Sequence, residues 1–383
     1  MNYNRKDQSS STIGIRVMCA IVFVVFSFCW LYFFQADVMM MAQHVLSDGL
    51  THYNRTVGAL LITFVLILLQ LLVYKLIPLK NRSHALTYLP SFLSLGLLSD
   101  FVQKGYDGVA CGFSWWLPVL ILIIWLGIVY VSRMIRGAES DDQLTIFSRP
   151  IWTNMVFMAL MMMCVAWLAN TNAVFHYRMA MERHLLEGDA EAALEVGKKS
   201  HESDEHLLML RMYALGRTGG LGEHLFEYPV AGTSAQILPT DSLSSLMMYP
   251  KDSLYRFIGA RPVGKMSPQR YLELVSKKDT IPNQVAHDYI LCGYLIDRQL
   301  DRFAHAIGNY YEINDSLPKH YREALTLYTH TKAHPVLVYH DAVMDEDYSN
   351  LQDLEKLYPD KMERKGKVEE QYRGTYWYYY RYE

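Results

Sequence analysis

The chain of 383 residues carries 36 basic and 39 acidic side chains, and 51% of it is apolar or aromatic. The charge is unevenly placed: residues 1–171 hold 11 basic and 8 acidic side chains, about +3, and residues 172–383 hold 25 and 31, about −6. A mildly acidic larger part lacks the basic face that phosphate neutralisation needs, so nucleic acid is excluded as an expected partner.

Apolar residues concentrate in the first 171 positions. About 20 mostly apolar residues are needed to carry a helix across roughly 30 Å of hydrocarbon, and stretches 13–34, 57–79, 115–131 and 151–168 have that character. A fifth, 85–102, contains Pro90 and carries Ser91, Ser94 and Ser99. Such residues are tolerated where neighbouring helices satisfy the freed backbone groups.

Basic residues decide in favour of the fifth span. With five crossings and a cytoplasmic N-terminus, Arg5, Lys6, Arg16, Lys75, Lys80, Arg82, Arg133, Arg136 and Arg149 all fall on the cytoplasmic side, leaving Arg55 and Lys104 outside. Basic residues near the membrane favour that side. With four crossings Arg133, Arg136 and Arg149 would move out. The expectation is a transmembrane domain at 1–171, surrounded by membrane lipids, and a domain at 172–383 outside the cytoplasm. The first run is read as a retained signal anchor, because its apolar core is long and no small-residue cleavage site precedes Gln35.

Between the first two spans, Asp37, His44, Asp48 and His52 are spaced by seven, four and four, which predicts one face of a helix, with Arg55 following. Carboxylate and imidazole groups so placed suit a divalent metal or acid/base work, and Arg55 suits a phosphate. Membrane glycosyltransferases that use lipid-phosphate sugars are similar in placing an essential acid in the first outer loop. The other reading is an interfacial amphipathic helix with Val38, Met39, Met40, Met41 and Val45 in the headgroup layer.

Five cysteines give no disulfide framework: Cys19, Cys29 and Cys164 fall in spans, Cys111 in a short loop and Cys292 in an apolar run. A domain of this size can bury a core without them.

From residue 172 onwards apolar residues recur at helical spacing in pairs. The first pair is 179–186 and 190–196, with Gly188-Asp189 between them. The second is 205–215 and 221–228, broken at 217–220. The third is 285–296 and 302–313, followed by Pro318. Gly293, Ala306, Tyr310 and Pro318 resemble the small, small, aromatic and closing-proline positions of tetratricopeptide repeats. That resemblance implies stacked hairpins with a concave face that docks protein or peptide. Residues 230–282 interrupt the pairs as an irregular but ordered connector, retaining Leu246, Met247, Met248, Tyr249, Tyr255 and Phe257 and predicting one short helix over 269–277, capped at Ser267-Pro268.

A further polar cluster comprises His330, His334, His340, Asp341, Asp345, Glu346 and Asp347, with Pro335 in its midst. Solvated loop and capping residues are the default for it, and metal binding would need a specific loop fold. The chain closes on Tyr372, Tyr376, Trp377, Tyr378, Tyr379, Tyr380 and Tyr382. Strand propensity predicts an extended segment packed across the last helices, and Tyr372, Tyr376, Trp377, Tyr378 and Tyr380 are the candidate partner contacts.

Stretches 314–325 and 367–378 resemble an uncharacterised family of Bacteroidota-type inner-membrane proteins, which implies a periplasmic C-terminal domain and supplies no activity. Walker, dinucleotide, HExxH, paired-cysteine zinc and serine-elbow patterns do not occur, and no cofactor is expected. The sequence thus predicts an all-α protein, five membrane helices followed by a tetratricopeptide-like domain that docks an envelope protein. An enzyme acting on lipid-linked or envelope sugars through Asp37, His44, Asp48, His52 and Arg55 is the alternative.

Overall fold

The computed structural model describes residues 3–77, 79, 81–104, 108–112, 114–134, 149–239, 246–259, 266–276 and 283–383. Lys80, Arg136 and the connector's 240–245, 260–265 and 277–282 lie outside the described residues, as do the side chains of Arg5, Lys6, Arg82, Lys104 and Cys111. The chain divides into two compact units, Met1–Asn172 and Ala173–Glu383.

In the first unit α1 (Tyr3–Cys29) continues through one π-helical turn, Trp30–Phe34. It is followed by α2 (Ala36–Leu46), α3 (Arg55–Leu76), a 3-10 helix (Asn81–Tyr88), α4 (Leu89–Leu98), strands β1 (Phe101–Lys104) and β2 (Gly108–Cys111), α5 (Trp116–Met134) and α6 (Arg149–Leu168). Four of these stretches, Ile13–Phe34, Arg55–Leu76, Trp116–Met134 and Arg149–Leu168, are long and apolar enough to cross a membrane. Their outer faces carry Ile21, Val25, Phe64, Leu68, Ile123, Ile124, Leu160 and Met163, all exposed, while Ser27, Thr63, Gln70, Ser91 and Asn154 are buried. Apolar surface outside and polar groups inside is the pattern a hydrocarbon solvent selects.

The fifth stretch, 85–102, is not one α-helix. Its first part is 3-10, with non-helical backbone at Ser83. Pro90 then falls in the opening turn of α4, where its missing N–H costs nothing. Residues 101 and 102 already belong to β1, which pairs antiparallel with β2, Phe101 opposite Cys111.

Nearly every side chain from His84 to Gly96 is buried or half-buried, packed on α1, α3 and α6. Hydrogen bonds hold both ends. Ser132 in the last turn of α5 meets Ser83 at 2.7 Å, and Asn154 near the start of α6 accepts the Ala85 N–H at 2.7 Å. At the far end Trp30 donates to Ser99 Oγ at 3.0 Å, and the Asn170 N–H donates to the Ser99 carbonyl at 3.0 Å. The segment therefore runs the length of the first unit.

In the second unit every regular element among the described residues is a helix. It contains α7 (Ala173–Leu186), α8 (Ala190–Glu195), α9 (Glu205–Thr218), α10 (Leu221–His224), α11 (Lys251–Ile258), α12 (Pro268–Ser276), α13 (Gln284–Ile296), α14 (Leu300–Ile307), α15 (Lys319–Thr331), α16 (Ala342–Leu357), α17 (Lys361–Tyr372) and α18 (Tyr376–Tyr382). Caps punctuate them: Asp189, Asp204, Asn283, Asp341, Asp360 and Thr375 each accept backbone N–H groups at a helix start. Gly219 ends α9 in the left-handed region. One continuous core joins Leu207, Tyr213, Tyr289, Phe303, Tyr321, Leu351 and Trp377.

Several expectations change here. The partner of α13 ends at Ile307, so Tyr310 lies beyond the helix, and the turn is only Asp297–Gln299 with Arg298 at φ 55°. Gly293 makes room for α12 and not for α14: a Cβ there would meet Gln269 Oε1 at 2.2 Å. Helix α11 lies within the predicted irregular connector, beside the expected α12. The aromatic C-terminus is a helix, α18, and not an extended segment. It packs on α15 and α17, because burial against Phe226 and Tyr348 outweighs the local strand preference of tyrosine.

Candidate functional site

The loop residues 35–56 do not form a single helical face. Helix α2 ends at Leu46, and Asp48 (φ 50°) and Gly49 (φ 77°) turn the chain through left-handed backbone. Asp37 and His44 thus share a helix, whereas Asp48 and His52 do not belong to it. The Gly49 N–H bonds back to the His44 carbonyl at 2.8 Å. Partial burial, then the neighbouring His52, pull the His44 imidazole below its usual range. Arg55 donates to the Tyr32 carbonyl and lies 4.5 Å from the Tyr32 ring centroid, so its guanidinium is engaged within the protein. Val38 and Met41 are wholly buried against protein and do not face a headgroup layer. Among the described residues no three His, Cys, Asp or Glu side chains are grouped to hold a metal ion.

The second cluster converges in part. Asp345 accepts from two imidazoles, His330 Nε2 at 3.1 Å and His340 Nδ1 at 3.2 Å. Asp341 caps α16 through the Val343 and Met344 N–H groups and meets Arg322 at 3.3 Å. Both are the capping and surface-pair roles of ordinary loop residues, and His334 is exposed and apart from them.

Of the candidate partner contacts, Tyr376, Trp377 and Tyr378 are buried, and Tyr372 and Tyr380 are half-buried. The Trp377 indole donates to the Glu323 carbonyl at 2.7 Å, and the Tyr376 N–H donates to Glu323 Oε2 at 2.7 Å. The first three side chains therefore build the core and leave no surface to a partner.

Three polar groups, two buried and one half-buried, were not legible as sites. Glu182 on α7 accepts the successive N–H groups of Met247, Met248 and Tyr249 at 2.9, 2.5 and 2.9 Å. Burial raises its carboxyl, against the pull of those donors and of Arg178. His320 accepts the Phe226 N–H at Nε2, 3.2 Å, which places its proton on Nδ1, facing Glu323 at 2.8 Å. Asp288 accepts the hydroxyls of Tyr311 at 2.5 Å and Tyr321 at 2.9 Å, and beside them burial pushes the Cys292 thiol well up. A fully buried thiol held in its protonated form is a poor nucleophile. Each of these groups joins segments distant in sequence, and the work they can do is structural.

Four long apolar helices with a few polar groups among their buried side chains, followed by a helical unit with its own core, are consistent with a multi-pass membrane protein. Residues 267–383, from α12 through α18, are similar to a family of unknown function, DUF6057. Both stretches that resemble an uncharacterised family, 314–325 and 367–378, lie within that match. No curated protein and no solved structure matches the chain.

Proposed function

We propose that this protein is a membrane-anchored docking protein of the Bacteroidota-type envelope, held in the inner membrane by five crossings and presenting its second unit to a periplasmic protein partner. The end-to-end course of residues 81–98 supports the fifth crossing. An odd number of crossings puts the second unit on the side opposite a cytoplasmic N-terminus, in keeping with Lys75, Arg133 and Arg149 at one set of helix ends. The order of packing, α13 on α14, α14 on α15 and α15 on α16, supports a tetratricopeptide-like stack.

The observation that carries the docking role is an apolar surface on the connection between α15 and α16. Val336, Val338 and Val343 are 65, 55 and 64% exposed, while Tyr339 between them is buried. Three branched aliphatic side chains within eight residues lose burial free energy where they stand, which a bound partner would recover. Surface Val→Ser changes alter stability by about 0.5 kcal/mol or less, so the triple variant V336S/V338S/V343S should fold. Cross-linking in native membranes followed by mass spectrometry should find an envelope protein joined to the parent chain and lost from the variant. An unchanged set of cross-linked proteins would reject this surface as the docking site.

A further inference from the structure

The first unit holds a cavity of about 280 Å³ between α1, α3 and the 3-10 helix, lined by apolar groups that include Val17, Phe23, Val24 and Leu71 and, at one end, by Arg16 and His84. Val17, Val24 and Leu71 are also exposed on the outer face of the helices. The cavity therefore opens sideways, onto the surface that a bilayer would cover. Arg16 lies three residues inside the apolar stretch that begins at Ile13, about 5 Å along the helix, and Phe23 and Val24 lie about 11 Å deeper.

The polar end of this cavity is incomplete. Arg16 sits 5.0 Å from the Tyr74 ring centroid and, among the described residues, makes no ion pair with a carboxylate. His84 is 4% exposed, edge-on to Tyr74, and its Nδ1 has no hydrogen-bond partner. Gln70, the remaining amide on the wall, is already engaged with Thr87 at 3.1 Å. A guanidinium at the margin of hydrocarbon with no acid beside it among the described residues, next to an imidazole whose Nδ1 is unpartnered, calls for an anion. The apolar walls call for a chain attached to that anion. Planar guanidinium groups pair with phosphate oxygens in a bidentate fork.

We propose that this cavity binds a phosphate-bearing bilayer lipid of net negative charge, from the leaflet on the N-terminal side, with its phosphate at Arg16 and part of one chain between α1 and α3. Volume limits the occupant to one chain segment, since whole small-molecule pockets are about 300–1,000 Å³. The inference rests on the first unit being embedded in a bilayer, and that premise has its own check: the protein should stay in the membrane pellet on alkaline carbonate extraction.

The test is native mass spectrometry of the full-length protein in detergent, titrated with phosphatidylglycerol or with phosphatidylcholine. The parent should retain phosphatidylglycerol in preference to phosphatidylcholine. Arg16→Gln should weaken phosphatidylglycerol binding about tenfold, the loss of one charge-assisted contact, and bring the two lipids level. Arg16→Lys should restore part of the preference. Ala20→Phe, which fills the cavity from its wall, should reduce binding of both lipids. Equal retention of both lipids by the parent, or unchanged phosphatidylglycerol binding in Arg16→Gln, overturns the proposal. So does displacement of the lipid by millimolar inorganic phosphate, which would mean that the chain contributes nothing. Membrane retention together with any of these results rejects the lipid site alone, whereas release by carbonate rejects the embedding on which it depends.

Discussion

Glu182 shows how a single side chain can hold a segment that has little regular structure of its own. A carboxylate is the one side chain that can accept several backbone N–H groups at once without donating, and here it takes three in succession, from Met247 to Tyr249. Arg211 is the converse, a buried guanidinium donating to Ser203 Oγ and to the carbonyls of Pro229 and Gly197, with burial pulling it down to about 10. It remains charged at neutral pH. Removing the acceptor in Glu182→Ala leaves three buried N–H groups unpaired, at about 1–3 kcal/mol for each that water does not reach. The variant should become sensitive to chymotrypsin at Tyr249 before the rest of the unit unfolds. Glu182→Gln, with one acceptor oxygen left, should fall between the two. If Tyr249 stays as protected in the alanine variant as in the parent, the carboxylate is not what holds the segment. A glutamate within an apolar helical face was the available signal for this contact, but its acceptor role depends on N–H groups 65 residues away, which no local pattern reveals.

Elements were legible in proportion to how far their own residues decide them. Twenty apolar residues in a row form a helix in almost any context that lacks water, so the long runs emerge with bounds within a few residues of those read from hydropathy. The loop helix failed at Asp48-Gly49, a local turn signal that outranked the seven-four-four spacing of the acids and histidines. Helix α14 stops early at Gly308, which left Tyr310 outside the pattern expected of a repeat. The C-terminal helix was misread for a different reason: β preference reflects fit to a half-buried pleated surface, and in α18 that surface is supplied by other helices. Trp377, 2% exposed, is the centre of this packing. Trp377→Ala should therefore destabilise the second unit by about 3–5 kcal/mol, seen as a lower unfolding midpoint in the full-length protein. Tyr380→Ala, at a half-buried position, should cost less than half as much. Equal effects would mean that the indole is not the anchor of α18. Arg16 went unread as part of a site because its neighbours, Tyr74 and His84, come to it from α3 and the 3-10 helix and are visible only once those elements are placed beside α1.

At the scale of the molecule the count of crossings decides what the second unit can meet. On the proposed arrangement, five crossings with a cytoplasmic N-terminus would place it in the periplasm. A reporter enzyme active only outside the cytoplasm, joined after Glu383, should then be active, and a reporter active only inside should be silent there. The opposite pair of results would return the second unit to the cytoplasm and rule out an envelope partner. Inserting the same reporters between Gly112 and Trp115 gives a second reading, because the five-crossing arrangement puts that point outside as well.

The enclosed course of residues 81–98 also bears on how the protein is made. A stretch with three serines, a proline and a histidine has little affinity for lipid by itself, and it is stable there only when neighbouring helices cover its polar groups. One of its shelters, α6, is translated after it, and the bond from the Ala85 N–H to Asn154 Oδ1 forms across 69 residues of chain. On the five-crossing reading, assembly cannot proceed strictly in order of synthesis: the third passage through the bilayer must wait at its edge until the fifth arrives to admit it.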